Sequence, residues 1–130
     1  MDDEKQTLDE LDPPAWGPPP PDTTGLVIRC HELRQKPLGE FTVGDLRVAI
    51  QQRLGPLHRL VPRAIAILET NHLEGDYPGE LLVAVLSVDK TYWHEHVPEW
   101  GDVNLIADQV MQACEYIREP LATFKFDTFK

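Results

Sequence analysis

Two apolar series hinged at Gly55-Pro56 constrain this chain more than any other feature of it. In the first, Val43, Leu46, Ile50 and Leu54 recur at helical spacing behind Thr42, whose hydroxyl can cap the first turn while Asp45 answers from three residues on. Gly55 supplies a left-handed stop and Pro56 forbids continuation. The second series is Leu57, Leu60, Val61, Ala64, Ile65 and Leu68. Pro62 interrupts it, so the regular helix is expected to begin at Val61 or Pro62 after a tighter turn. A connection this short leaves the two helices antiparallel and side by side. Residues 40–68 are therefore the expected nucleus of an all-α domain.

The rest of the chain follows the same period. Thr23 or Thr24 caps a helix whose face carries Leu26, Cys30 and Leu33, ended by Pro37 and Gly39. Residues 71–79 read as a loop, and Pro78 and Glu80 open a helix with Leu81, Leu82, Val85, Leu86 and Val88 on its buried side. Asp89 caps a short helix bearing Tyr92, Trp93, His96 and Val97, and Pro98 and Gly101 bracket Trp100 in a turn. Val103, Ile106, Ala107, Val110, Met111, Cys114 and Ile117 form the stripe of a last helix, stopped at Glu119-Pro120. The tail around Phe124, Phe126 and Phe129 is expected to be ordered coil, because a lone ten-residue strand has no partner. The expectation is one small all-α domain of about six short helices over 23–120, a flexible arm over 1–22 and a tail over 121–130.

Composition supports the flexible arm. Residues 1–22 hold seven acids, one lysine and the run Pro18 to Pro21, which resists regular helix and favours extended backbone. Trp16 is the exception there, an aromatic expected to pack on the domain surface. A chain of 130 residues needs no disulfides for its core. Cys30 and Cys114 fall on apolar helical positions and read as buried free thiols. With no apolar leader and no membrane-length apolar run, the expected location is the cytoplasm.

Charge is sharply segregated. The net charge is −6 over residues 1–22, +4 over 23–63, −9 over 64–119 and +1 over the last eleven. In the third block only Lys90 and Arg118 oppose eleven acids. A face built for solubility normally mixes signs, so this one suits a basic protein partner and repels nucleic acid. Glu69, Glu74, Asp76 and Glu80 gather around one loop, and Glu95, Glu99 and Asp102 around the next turn. Tyr77, Trp93 and Trp100 are candidate aromatic anchors among them.

Catalytic and cofactor motifs are missing from the sequence. There is no phosphate-binding glycine loop, and His94 and His96, two apart on a helix, point to different faces and do not chelate one metal ion. No enzymatic activity, metal or cofactor is expected. The competing class is a helix-turn-helix nucleic-acid binder using Arg29, Arg34, Lys36, Arg47, Arg53, Arg59 and Arg63. Its second helix would need polar side chains for base edges, whereas Ala64-Ile65-Ala66-Ile67-Leu68 is apolar throughout.

Five stretches resemble the immunity proteins of bacterial contact-dependent growth inhibition systems: Leu11-Asp12-Pro13-Pro14-Ala15-Trp16-Gly17, Cys30 to Leu38, Phe41-Thr42-Val43-Gly44-Asp45-Leu46-Arg47, Leu60-Val61-Pro62-Arg63-Ala64-Ile65, and Gly75-Asp76-Tyr77-Pro78-Gly79-Glu80-Leu81-Leu82. The chain departs from that pattern at Gly55 to Arg59 and around Gly75 to Tyr77. The resemblance implies a small, cytoplasmic, helical protein that neutralises the C-terminal toxin domain of a cognate effector. Such toxins are commonly nucleases, which are basic. The residues expected to meet one are Glu69, Glu74, Asp76, Tyr77, Glu80, Trp93, Glu95, Glu99, Trp100 and Asp102, in a chain expected to be monomeric.

Overall fold

The computed structural model describes residues 3–127, with side chains for residues 4–125. It is all-α, with no strand among the described residues. The helices are α1 (Leu8–Leu11), α2 (Gly25–Arg34), α3 (Val43–Gln51), α4 (Leu57–Thr70), α5 (Glu80–Leu86), α6 (Lys90–Glu95) and α7 (Val97–Asp127), with short 3₁₀ turns at Asp3–Lys5 and Leu38–Glu40. No described helix is long and apolar enough to cross a membrane.

The central hairpin forms the core. Thr42 caps α3 as expected: its hydroxyl accepts from the Asp45 N–H at 3.1 Å, and the Asp45 carboxylate accepts from the Thr42 N–H at 3.0 Å. Leu46 and Ile50 on α3 and Leu60, Val61, Ala64, Ile65 and Leu68 on α4 are buried together. Helix α5 closes over both with Leu81, Leu82 and Val85, and α7 adds Val103 and Ile106. These apolar residues leave water on one continuous surface, the main favourable term in folding.

Four local expectations change. Gly55 is not the left-handed stop; that conformation falls on Arg53, at φ 53°. Gly55 is needed for closeness instead, since a Cβ there would lie 2.6 Å from Leu8 Cδ2. Helix α4 starts at Leu57 behind Pro56 and runs through Pro62, because its buried face spans the whole helix and outweighs one lost backbone hydrogen bond. Pro98, Trp100 and Gly101 lie on α7, which begins at Val97 and is not preceded by the expected turn. The same helix passes Pro120 and continues to Asp127, where an ordered coil was expected; Leu121 and Ala122 are strong helix formers. The side chain of Phe126 and all of Phe129 lie outside the described residues.

Two burial expectations also change. Cys30 is buried, and burial pushes its thiol pKa up against the opposing effect of Arg29. Cys114 is exposed, because α7 leaves the body before reaching it. Leu26 and Leu86, placed on buried faces by periodicity, are about half exposed, at 49% and 53%.

Within residues 1–22 the described part lies against the body. Thr7 and Glu10 form a capping box on α1, and Leu8 is fully buried. Arg34, 1% exposed, uses all five guanidinium N–H groups on this segment and its support. Nε donates to Asp9 at 2.8 Å, Nη1 to Leu54 O at 2.8 Å and Asp12 Oδ2 at 3.3 Å, and Nη2 to Asp12 O at 2.7 Å and Pro14 O at 3.1 Å. Trp16 lies over the same guanidinium at 4.8 Å and edge-on to His31 at 5.2 Å, as a surface-packed aromatic. Mutual repulsion of the acids gives way here because a buried cation collects two of them.

Candidate functional site

The basic segment is largely consumed inside the molecule. Asp45 draws Lys36 Nζ to 2.6 Å and Arg29 Nη2 to 3.1 Å. Burial opposes charge on Asp45, but the Lys36 ammonium, the Thr42 N–H and the Arg29 guanidinium outweigh it and hold the carboxyl down at about 2. Arg34 is taken by Asp9 and Asp12, Arg47 pairs with Glu80 at 2.7 Å, and Arg63 reaches Glu4 at 2.7 Å. Five of the seven basic side chains thus serve the fold, which takes away the stripe that a phosphate backbone would need.

The acids divide into two groups. Glu69 lies in the last turn of α4, Glu74, Asp76 and Tyr77 occupy the following loop, and Glu80 opens α5. This loop stands level with residues 109–117 of α7, since Thr70 to Leu73 line a groove with Gln109, Val110 and Ile117. Trp93 and Glu95 lie on α6, and Glu99, Trp100 and Asp102 at the start of α7. That group lies towards the other end of α5, where Leu86 and Val88 share a groove with Lys90, Trp93, Trp100 and Asn104. Helix α5, seven residues and about 10 Å long, runs from Glu80 in the first group towards the second.

They also differ in what their carboxylates already hold. At the α4–α5 loop, Glu80 is neutralised by Arg47, and Glu74 accepts from Asn71 Nδ2 at 3.1 Å. Glu69 and Asp76 face solvent, and Tyr77 is 76% exposed. At the α6–α7 corner, Glu95 and Asp102 face solvent, and Glu99 accepts a 2.5 Å hydrogen bond from the buried Tyr92 hydroxyl. Burial and the Glu99 carboxylate together push the Tyr92 pKa up.

This corner is rigidly built. Tyr92 stacks on His96 at 3.9 Å and meets Trp93 edge-on at 5.1 Å, while Trp93 Nε1 donates to Val88 O at 3.1 Å. Trp93 is half-buried, so it supports the corner as well as lining it. Outside this brace lies an apolar groove of about 330 Å³ formed by Lys90, Trp93, His94, Val97 and Trp100. Trp100 and Val97 are 52% and 58% exposed, far more than the packing of the corner requires. Exposed aromatic surface on such a corner can anchor a protein partner by burial, with the carboxylates of the same two helices supplying the surrounding negative field against the single Lys90 in the groove.

Sequence reasoning named Trp93 and Trp100 but missed Val97 and Leu86 as exposed partners. Leu86 follows Val85 at the end of a short helix, where one residue of rotation decides between core and solvent. No residue of either group stands close enough to others of metal-binding type to form a cluster among the described residues.

A family model described as CDI immunity proteins matches residues 10–102. The matched span contains the central hairpin, Arg34 with its partner Asp12, and both acidic groups, and stops before most of α7. No curated protein and no solved structure matches the chain.

Proposed function

Because the chain belongs to the family of CDI immunity proteins, and so serves immunity against a CDI toxin, we propose that it binds its toxin through the α6–α7 corner. The toxin is a basic domain, in this reading a nuclease, and the protein acts without catalysis in the cytoplasm of the cell that makes it. Trp100 and Val97 supply the desolvated centre of the contact. Glu95, Glu99 and Asp102, on the same two helices, take the role of the substrate's phosphates and steer a cationic cleft towards the aromatic surface. Substrate is then kept out by occlusion.

The observation that carries this reading is the exposure of Trp100 and Val97 on a corner braced by the Tyr92 hydrogen bond to Glu99, with Glu95 and Asp102 facing solvent on the same two helices. The α4–α5 loop is the weaker seat, since Arg47 already neutralises Glu80 there. The test is a double charge reversal, Glu95→Lys with Asp102→Lys, measured against the cognate CDI toxin domain. Association is expected to slow at least tenfold at low salt, with a flatter salt dependence. Unchanged association kinetics would remove the corner from the interface.

A further inference from the structure

Lys90 is a cation that the fold does not use. No other lysine or arginine lies between Ala64 and Ile117. Arg29, Arg34, Lys36, Arg47 and Arg63 each hold a carboxylate. The Lys90 ammonium makes no ion pair or hydrogen bond among the described residues, although four acids, Asp89, Glu95, Glu99 and Asp102, belong to the same corner. Nor does its own helix favour it. Lys90 is the first residue of α6, where open backbone N–H groups suit an acid better than a cation.

Its place gives it a use. Two grooves share Trp93 and Trp100, one of about 330 Å³ with His94 and Val97, the other of about 220 Å³ with Leu86, Val88 and Val103, and Lys90 lines both. A partner that buries Trp100 therefore covers Lys90 as well. Taking an unpaired ammonium out of water is costly unless the partner brings an acceptor.

We propose that Lys90 is a specificity-determining residue of this corner, meeting a carboxylate on the docking face of the toxin. On the corner reading above, which this contact presupposes, the toxin is basic overall yet presents one acid beside the apolar residues that cover Trp100. The acids of the corner attract any basic domain. Lys90 repels one that sets a lysine or arginine there and accepts one that sets an aspartate or glutamate, so discrimination comes from the single charge of opposite sign.

Lys90→Glu tests this, because a contact and its absence move binding in opposite directions. Without a toxin carboxylate at this point, a more negative corner binds a basic domain as fast or faster. With one, affinity for the cognate CDI toxin domain is expected to fall by about tenfold or more in surface plasmon resonance, chiefly through faster dissociation. The thermal midpoint is expected to stay at or above that of wild type, since an acid suits the start of α6, which separates the loss from misfolding. Single acid-to-lysine changes on the toxin domain are then paired with Lys90→Glu, and one of them is expected to restore binding. Restoration by none overturns the contact. So does unchanged or tighter binding by Lys90→Glu while Glu95→Lys with Asp102→Lys still slows association, a result that leaves the corner in place. If neither variant alters binding, the corner and the contact fall together.

Discussion

Arg34 Nε donates to the Asp9 carboxylate at 2.8 Å, joining a side chain that is 1% exposed to a helix of only four residues. A helix that short does not persist alone. Its permanence depends on this cation and on Leu8. Removing one partner of a buried pair leaves the others desolvated and uncompensated, at a cost of about 3 to 5 kcal/mol. Arg34→Ala is therefore expected to lower the thermal midpoint by well over 10 °C and to expose residues 8–16 to limited proteolysis. Arg34→Lys keeps the charge but not the planar fork, and is expected to recover only part of the loss. A midpoint within 2 °C of wild type in Arg34→Ala would show that the segment is not held by this residue.

Asp45 sets an acid limit on the fold. Its carboxyl is held down at about 2 in the folded protein, against roughly 3.9 in an unfolded chain. A depressed carboxyl contributes stability that is complete above the unfolded value and disappears as pH falls through the folded one. Stability is thus expected to decline between about pH 4 and pH 2, by about 2 kcal/mol from this group. Chemical denaturation at stepped pH measures it. Asp45→Asn is expected to be less stable at pH 7 and to show a smaller decline across that window.

Gly55 makes room for Leu8. An added Cβ would meet Leu8 Cδ2 at 2.6 Å, and Leu8, fully buried, has no open side to retreat to. Gly55→Ala is expected to cost about 1 to 3 kcal/mol by overpacking. The double variant Gly55→Ala with Leu8→Ala is expected to be less destabilised than the two single effects predict, because the second change removes the clash caused by the first. Strict additivity in that cycle would place the cost elsewhere.

How far the sequence could be read depended on whether a signal was local or tertiary. The Thr42–Asp45 capping box and the apolar face of α4 are written in spacing alone, and both stand in the structure. The fate of residues 1–22 is not local: Asp9 and Asp12 look like a repelling acidic tract until Arg34, more than twenty residues on, folds underneath them. The stretches Leu11 to Gly17 and Phe41 to Arg47, which carry the family resemblance, likewise turn out to hold contacts to Arg34 and the Asp45 ion pairs. They mark the fold more than any contact with a partner. At the candidate site, the two acidic groups follow chain order and were legible, whereas their position on the molecule and the availability of each carboxylate were not. Where each group lies depends on how α5 crosses between α4 and α7, and whether a carboxylate is available depends on whether an arginine such as Arg47 has reached it.

The two ends of α5 give a direct comparison of anchor against neighbour. Trp100 and Tyr77 are both exposed aromatics beside acids, yet Trp100 lies on a helix braced by Tyr92 and Trp93, whereas Tyr77 lies in a loop. A rigid aromatic loses less freedom on binding, so more of its burial appears as affinity. Trp100→Ala is expected to weaken toxin binding by about 2 kcal/mol or more, mostly through faster dissociation, with little change in thermal stability. Tyr77→Ala is expected to change affinity by less than about threefold. Surface plasmon resonance with both variants measures the two rate constants separately. A large loss with Tyr77→Ala and none with Trp100→Ala would move the contact to the α4–α5 loop, where Glu69 and Asp76 remain exposed to receive it.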